Sequence, residues 1–204
     1  MFRHLDKYTF KMKIIKHRYS DVLTVTKVTE SKLYYPFSYD EIQALWNIED
    51  EPWVDMVLVM MYSGWRMSEI TGLKRSDVDI NTGVMVSGVK TDAGKERVVP
   101  IHPKIAGIVE KRFSEGNEYL FSRNGGQLAP STFYGYWASV MKMINANHTS
   151  HDCRYTLRTK LFNAQVQRAI IDKIIGHVPD NTGERIYTYI SIEQLKEAMD
   201  LVDY

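Results

Sequence analysis

The chain has 204 residues, 44% of them hydrophobic and 25% charged, with a net charge of +1. That size fits one large domain or two small ones around a sizeable core, and no apolar run approaches the ~20 residues needed to span a bilayer. The start lacks the apolar stretch of a signal peptide. The lone Cys153 cannot form an internal disulfide, so a reducing compartment, the cytoplasm, is expected.

In chain order, residues 1–37 differ from the rest. Leu5 to Arg18 reads as a basic helix and Val22 to Thr29 as an extended linker before Pro36. Such a basic run can follow a phosphate backbone, although charge alone favours an ordinary solvated face. A compact domain is expected over 38–204. It opens with Ser38, whose hydroxyl can cap a helix with Glu41 three residues on and with Ile42, Leu45 and Trp46 on one face. A second apolar stretch, Val54 to Tyr62, stops at Ser63-Gly64, and Arg66-Met-Ser-Glu69 starts the next helix.

At Val84 the period changes. Val84 to Val89 and Glu96 to Ile101 read as two strands about the turn Thr91-Asp-Ala-Gly94. Pro103 to Phe113 is a helix with proline at its first position. Tyr119-Leu-Phe121 is assigned to an edge strand, followed by the turn Arg123-Asn-Gly-Gly126. Helices over Pro130–Ile144, Arg154–Val166, Arg168–Ile175 and 191–202 complete the set. The fold class is mainly α with a small antiparallel β-sheet.

Several polar residues suit phosphate chemistry, each with an ordinary alternative. Arg66 and Glu69 stand at i, i+3. That is either an intrahelical pair worth ~0.3 kcal/mol or an arginine oriented by a carboxylate. His151 and Arg154 share this spacing at the mouth of a helix, where anions are favoured, yet a solvated surface pair would look the same. His177 follows Gly176, a helix cap by position. Tyr187 and Tyr189 cannot share a helical face, so at most one is functional and aromatic packing accounts for the other. The six histidines do not form a zinc-type set with Cys153 or carboxylates, and no Gly-rich phosphate loop or GxSxG elbow is present. Neither metal nor cofactor is expected.

The ordered set resembles the tyrosine recombinases of the phage integrase family. Its parts here are Ser63-Gly-Trp-Arg66-Met-Ser-Glu69, Lys90-Thr followed by Arg97-Val-Val-Pro-Ile101, His151-Asp-Cys-Arg154-Tyr-Thr156, Ile175-Gly-His177, and Tyr187 ten residues past that histidine. Where the family has a histidine two residues after the nucleophile, this chain has Tyr189. Spacing selects Tyr187 over Tyr189, and the Lys-Thr context selects Lys90 over Lys95.

The resemblance implies site-specific recombination, integration and excision of a phage or other mobile element, through a 3′-phosphotyrosyl intermediate. Topoisomerase IB-like relaxation and a DNA-binding regulator without cleavage are the rival uses. Arg66 and Arg154 would bind the scissile phosphate, His151 would take the proton of Tyr187, Lys90 would protonate the leaving 5′-oxygen, His177 would hold another phosphate oxygen, and Glu69 would support them. Double-stranded DNA is the implied partner, with accessory DNA-bending or directionality factors. Residues 1–37 correspond to the end of a preceding DNA-clamping domain, so a piece of a longer protein is expected. The 191–202 helix has two placements: packed on its own domain, or, as the resemblance implies, exchanged onto a neighbouring protomer in a tetramer on DNA.

Overall fold

The computed structural model describes residues 2–21, 35–87, 97–177 and 190–204. The 22–29 linker, the 91–94 turn, and the candidates Lys90, Lys95, Tyr187 and Tyr189 lie outside the described residues. The chain forms two units, 1–33 and 34–204.

In the first unit α1 spans Phe2–Lys11, shorter than the helix expected to reach Arg18. Lys13 takes a left-handed conformation (φ 58°), which a helix cannot continue through. A short 3-10 turn follows at Tyr19–Asp21. The Asp6 carboxylate accepts from the Ser20 backbone N–H at 2.8 Å, tying that turn to the helix.

In the second unit α2 (Tyr39–Trp46) carries the expected capping box: Ser38 and Glu41 satisfy each other's backbone N–H groups, and Ile42 and Leu45 are buried. Helix α3 (Val54–Ser63) is buried at every position but Asp55, as its all-round apolar sequence requires. It forms the centre of the core, packed on α2, on α5 (Pro103–Ser114) and most extensively on α7 (Ser150–Asn163). Gly64 ends α3 in the left-handed region (φ 60°), and α4 (Met67–Gly72) follows.

The sheet is antiparallel in the order β1 (Val78–Asp79), β2 (Val84–Ser87), β3 (Arg97–Pro100). Its register pairs Met85 with Val99 and Val86 with Val98. The edge strand expected at 119–121 does not form as such. Leu120 and Phe121 are buried, Leu120 N–H donates to the Leu73 carbonyl, and the hairpin lies just beyond, β4 (Ser122–Arg123) against β5 (Gly126–Gln127). Asn124 and Gly125 supply its two positive-φ turn positions.

Helix α6 (Pro130–Met143) and α8 (Arg168–Ile175) match expectation. Helix α7 starts four residues before the expected Arg154, because Thr149 and Asp152 form a capping box. Helix α9 (Ile192–Asp200) is capped by Ser191. Its Leu195 and Met199, with Val202 beyond, are buried, and it packs on β3 and α8. Of its two placements, the single chain adopts the one on its own domain. The segment after α9 is anchored there too: Tyr204 is buried and its hydroxyl donates to the Met61 carbonyl at 2.9 Å.

Candidate active site

The site begins where α3 breaks. Gly64 takes the left-handed conformation that turns the backbone out of α3 (φ 60°), with a Cβ there only 3.1 Å from Leu157, and so delivers Arg66 to the start of α4. The Glu69 carboxylate accepts from the Arg66 backbone N–H at 2.7 Å and from its Nη1 at 3.0 Å. The i, i+3 spacing therefore produces a pair, and the pair is more than a surface ornament. Glu69 is 2% exposed and also accepts from Arg97 Nη2 at 2.8 Å. Arg66, 41% exposed, is left facing outward.

Arg97 is a residue that sequence reasoning quoted only as context. Its guanidinium lies 4.0 Å over the Trp65 ring and donates from Nη1 to the Ile174 carbonyl at the end of α8 at 2.8 Å. It thus ties β3, α4 and α8 together. The available signal was strand alternation, which puts Arg97 on the buried face of Val99. Gly176 shows how closely this arginine fits: a Cβ there would stand 2.7 Å from Arg97 Cδ. Its φ of 64° is also one that favours glycine.

Arg154 enters from the second turn of α7. It is 3% exposed, and its Nη1 donates to the Gly64 carbonyl at 3.0 Å. Its Nη2 is buried with no hydrogen-bond partner among the described residues. A buried cationic N–H donor without an acceptor costs several kcal/mol unless an anion arrives. His151 sits in the first turn of the same helix. His177 follows the Gly176 cap: its backbone N–H donates to the Asp172 carbonyl at 2.8 Å, and its Nδ1 lies 3.8 Å from the buried Asp172 carboxylate. Asp172 is a second contributor that the sequence reading missed.

Electrostatics link these groups. Burial, then Arg97 and Arg66, push the Arg154 guanidinium down to about 9, with Glu69 opposing; it remains cationic at neutral pH. Burial pushes Arg97 down to about 10. His151 is held below the ordinary histidine value by burial and then by Arg154 and Arg66. His177 is lowered by burial and by Arg154, with Asp172 pulling the other way. Both imidazoles are therefore neutral at pH 7 and able to accept a proton or hydrogen bond. Among the described residues three guanidiniums, Arg66, Arg97 and Arg154, lie about the Glu69 carboxylate, an excess that calls for an anion. Among the described residues no group of three or more His, Cys, Asp or Glu is placed to hold a metal ion. No helix among them is long and apolar enough to cross a membrane.

The structure thus brings together five of the candidates, Arg66, Glu69, His151, Arg154 and His177, from two separate helices, α4 and α7, and the segment after a third, α8. A model of the phage integrase family matches residues 37–193. The chain belongs to the phage integrase family. Among curated relatives, the tyrosine recombinase XerA of Pyrococcus horikoshii is 29% identical over 170 residues, 79% of this chain and 59% of that protein. The tyrosine recombinase XerA of Thermococcus kodakarensis is 31% identical over 155 residues, 71% of this chain and 53% of that protein. This phage integrase family member therefore spans little more than half the length of these relatives. Its fold is that of solved integrases. The Tn1549 transposon integrase bound to circular intermediate DNA superposes with a TM-score of 0.69 at 19% identity, over 97% of this chain and 75% of that one. The lambda integrase tetramer bound to a Holliday junction gives 0.66 at 15% identity, over 93% and 59%.

Proposed function

We propose that this chain is the strand-cleaving part of a site-specific DNA recombinase that acts through a tyrosyl-phosphate intermediate and needs no metal. The observation that carries the reading is the buried Arg154 Nη2, a charged donor with no acceptor among the described residues, in a cluster with excess positive charge. A scissile phosphate satisfies it. Arg154 and Arg66 would bind the non-bridging oxygens and stabilise the charge that builds on them in the transition state.

In the cleavage step the Tyr187 oxygen bonds to phosphorus and the bond from phosphorus to the 5′-oxygen breaks. Neutral His151 receives the tyrosine proton. This matters because a free phenol, with a pKa of ~10, is a poor nucleophile at neutral pH. Lys90 gives a proton to the departing 5′-oxygen, and His177 donates a hydrogen bond to the phosphate. The products are a 3′-phosphotyrosyl linkage and a free 5′-hydroxyl, and attack by another 5′-hydroxyl reverses the step on a new strand. The family membership and the named DNA complexes of its structural neighbours support duplex DNA as partner and assembly of several protomers on it. Release of α9 from its own domain would free it for exchange between them. Integration and excision of a mobile element is the use we assign.

The test is covalent trapping. Nicked duplexes with randomised flanks are incubated with the chain in EDTA, and attached DNA is recovered under denaturing conditions. Wild type is expected to give a 3′-phosphoryl adduct and Tyr187→Phe none. A Tyr187→Phe adduct, or none from wild type, refutes the assignment.

A further inference from the structure

Three residues before His151 lies a histidine that the proposed chemistry leaves unused. The side chain of His148 is only 9% exposed. Its ring stacks on Phe37, with centroids 3.8 Å apart and planes at 22°. Its Nε2 is hydrogen-bonded to Glu41 Oε1 at 3.2 Å, whereas its Nδ1, buried with no hydrogen-bond partner among the described residues, lies 3.4 Å from Asp152 Oδ2. Its carbonyl accepts from the Trp137 indole N–H at 2.8 Å.

Each of the two carboxylates already has a task. Glu41 closes the capping box of α2, accepting from the Ser38 backbone N–H at 2.7 Å. Asp152 closes that of α7, accepting from the Thr149 backbone N–H at 2.7 Å. The imidazole therefore stands between the N-terminal caps of two helices. A further tie runs beside it: Phe37 N–H donates to Thr156 Oγ1 at 2.9 Å, and that hydroxyl donates to the Asp152 carbonyl at 2.7 Å.

The cap of α7 determines where its first two turns sit, and those turns carry His151 and Arg154. We propose that His148 is a positioning residue for the phosphate site: through its bond to Glu41 and its stacking on Phe37, with Asp152 beside it, it registers the start of α7 against the Phe37–Glu41 segment, so that His151 and Arg154 meet the phosphate together. This rests on the recombinase reading. A displacement of ~1 Å in such a site is enough to cost about 100-fold in rate. A lost cap by itself mainly lowers stability.

The experiment compares His148→Ala, His148→Gln and the core variant Val109→Ala, which removes buried volume in α5, a helix that carries none of the site residues. The first readout is the rate of covalent attachment to a nicked duplex selected with wild type, measured well below every melting midpoint. His148→Ala is expected to be about 10- to 100-fold slower, with non-covalent DNA affinity within about twofold of wild type. His148→Gln, whose amide still reaches Glu41, recovers part of the loss, and Val109→Ala reacts at nearly the wild-type rate. A His148→Ala rate no lower than that of Val109→Ala overturns the proposal. The second readout is the titration of the His151 imidazole by NMR, which needs no activity. Its midpoint is expected to rise toward the ordinary histidine value in His148→Ala, as the first turn of α7 loses burial and moves from Arg66, and to stay put in Val109→Ala. If wild type forms no adduct, the recombinase reading fails, and an unmoved His151 midpoint in His148→Ala overturns the positioning role separately.

Discussion

Glu69→Gln is the perturbation that bears most directly on how the site is held. Glu69 Oε2 and Arg97 Nη2 are 2.8 Å apart, with side chains 2% and 1% exposed. At that distance and an effective dielectric near 20, the gross attraction is about 6 kcal/mol. Desolvation offsets much of it in the intact pair. Removing one partner instead leaves the other charge buried without compensation, which costs about 3–5 kcal/mol. Here the loss is compounded, since Glu69 is the carboxylate that pairs with both Arg66 and Arg97 among the described residues. At about 2–4 °C per kcal/mol for a unit of this size, the melting midpoint should fall by roughly 6–20 °C. Thermal or urea unfolding measures this. The double variant Glu69→Gln, Arg97→Met removes the stranded charge and should be more stable than Glu69→Gln alone. The reasoning is refuted if Glu69→Gln melts within about 2 °C of wild type, or if the double variant is no more stable than the single.

Other outcomes follow from the same geometry. Histidine NMR should place the titration midpoints of His151 and His177 below the ordinary value, and Arg154→Gln should raise both; unchanged midpoints would separate the arginine from the imidazoles. Because both groups bind protons less readily when folded, their contribution to stability is present above about pH 6.5 and lost as pH falls through their lowered folded values. The cleavage rate should fall over the same acid range, as His151 ceases to be a base. Gly176→Ala, with a φ of 64° and a Cβ 2.7 Å from Arg97, should lower stability by more than the ~1 kcal/mol of left-handed strain alone, measurable by urea titration. Tyr189→Phe should leave covalent attachment intact, and loss of the adduct there would move the nucleophile two residues on.

What was legible in the sequence was what is local. Ser38 and Glu41 announce α2, Gly64 and Gly176 announce helix ends, and the His151–Arg154 and Arg66–Glu69 spacings put each pair on one helical face. What was not legible depends on contacts distant in sequence. Arg97 matters because β3 lies against α8, so that its guanidinium reaches Ile174, a tie no local pattern contains. Tyr119 to Phe121 has the composition of a strand, but Leu120 and Phe121 are needed in the core, and the ladder forms at the polar Ser122–Gln127 hairpin instead. Helix α7 starts four residues before Arg154 because aspartate caps as glutamate does when its carboxylate reaches the Thr149 N–H, at 2.7 Å here, so the Thr149–Asp152 pair is a local signal for its start. Helix α9 shows the limit of an amphipathic stripe: it specifies a buried face without saying whose.

The central claim is that the buried Arg154 and the outward-facing Arg66 hold a phosphate for attack by Tyr187. Its most direct test is peptide mapping of the DNA-linked residue after trapping on a nicked duplex in EDTA. The account predicts a 3′-phosphoryl link on Tyr187, present in wild type and at least about 100-fold reduced in Arg154→Ala. A link on another residue, a 5′-phosphoryl link, or full attachment by Arg154→Ala would contradict it.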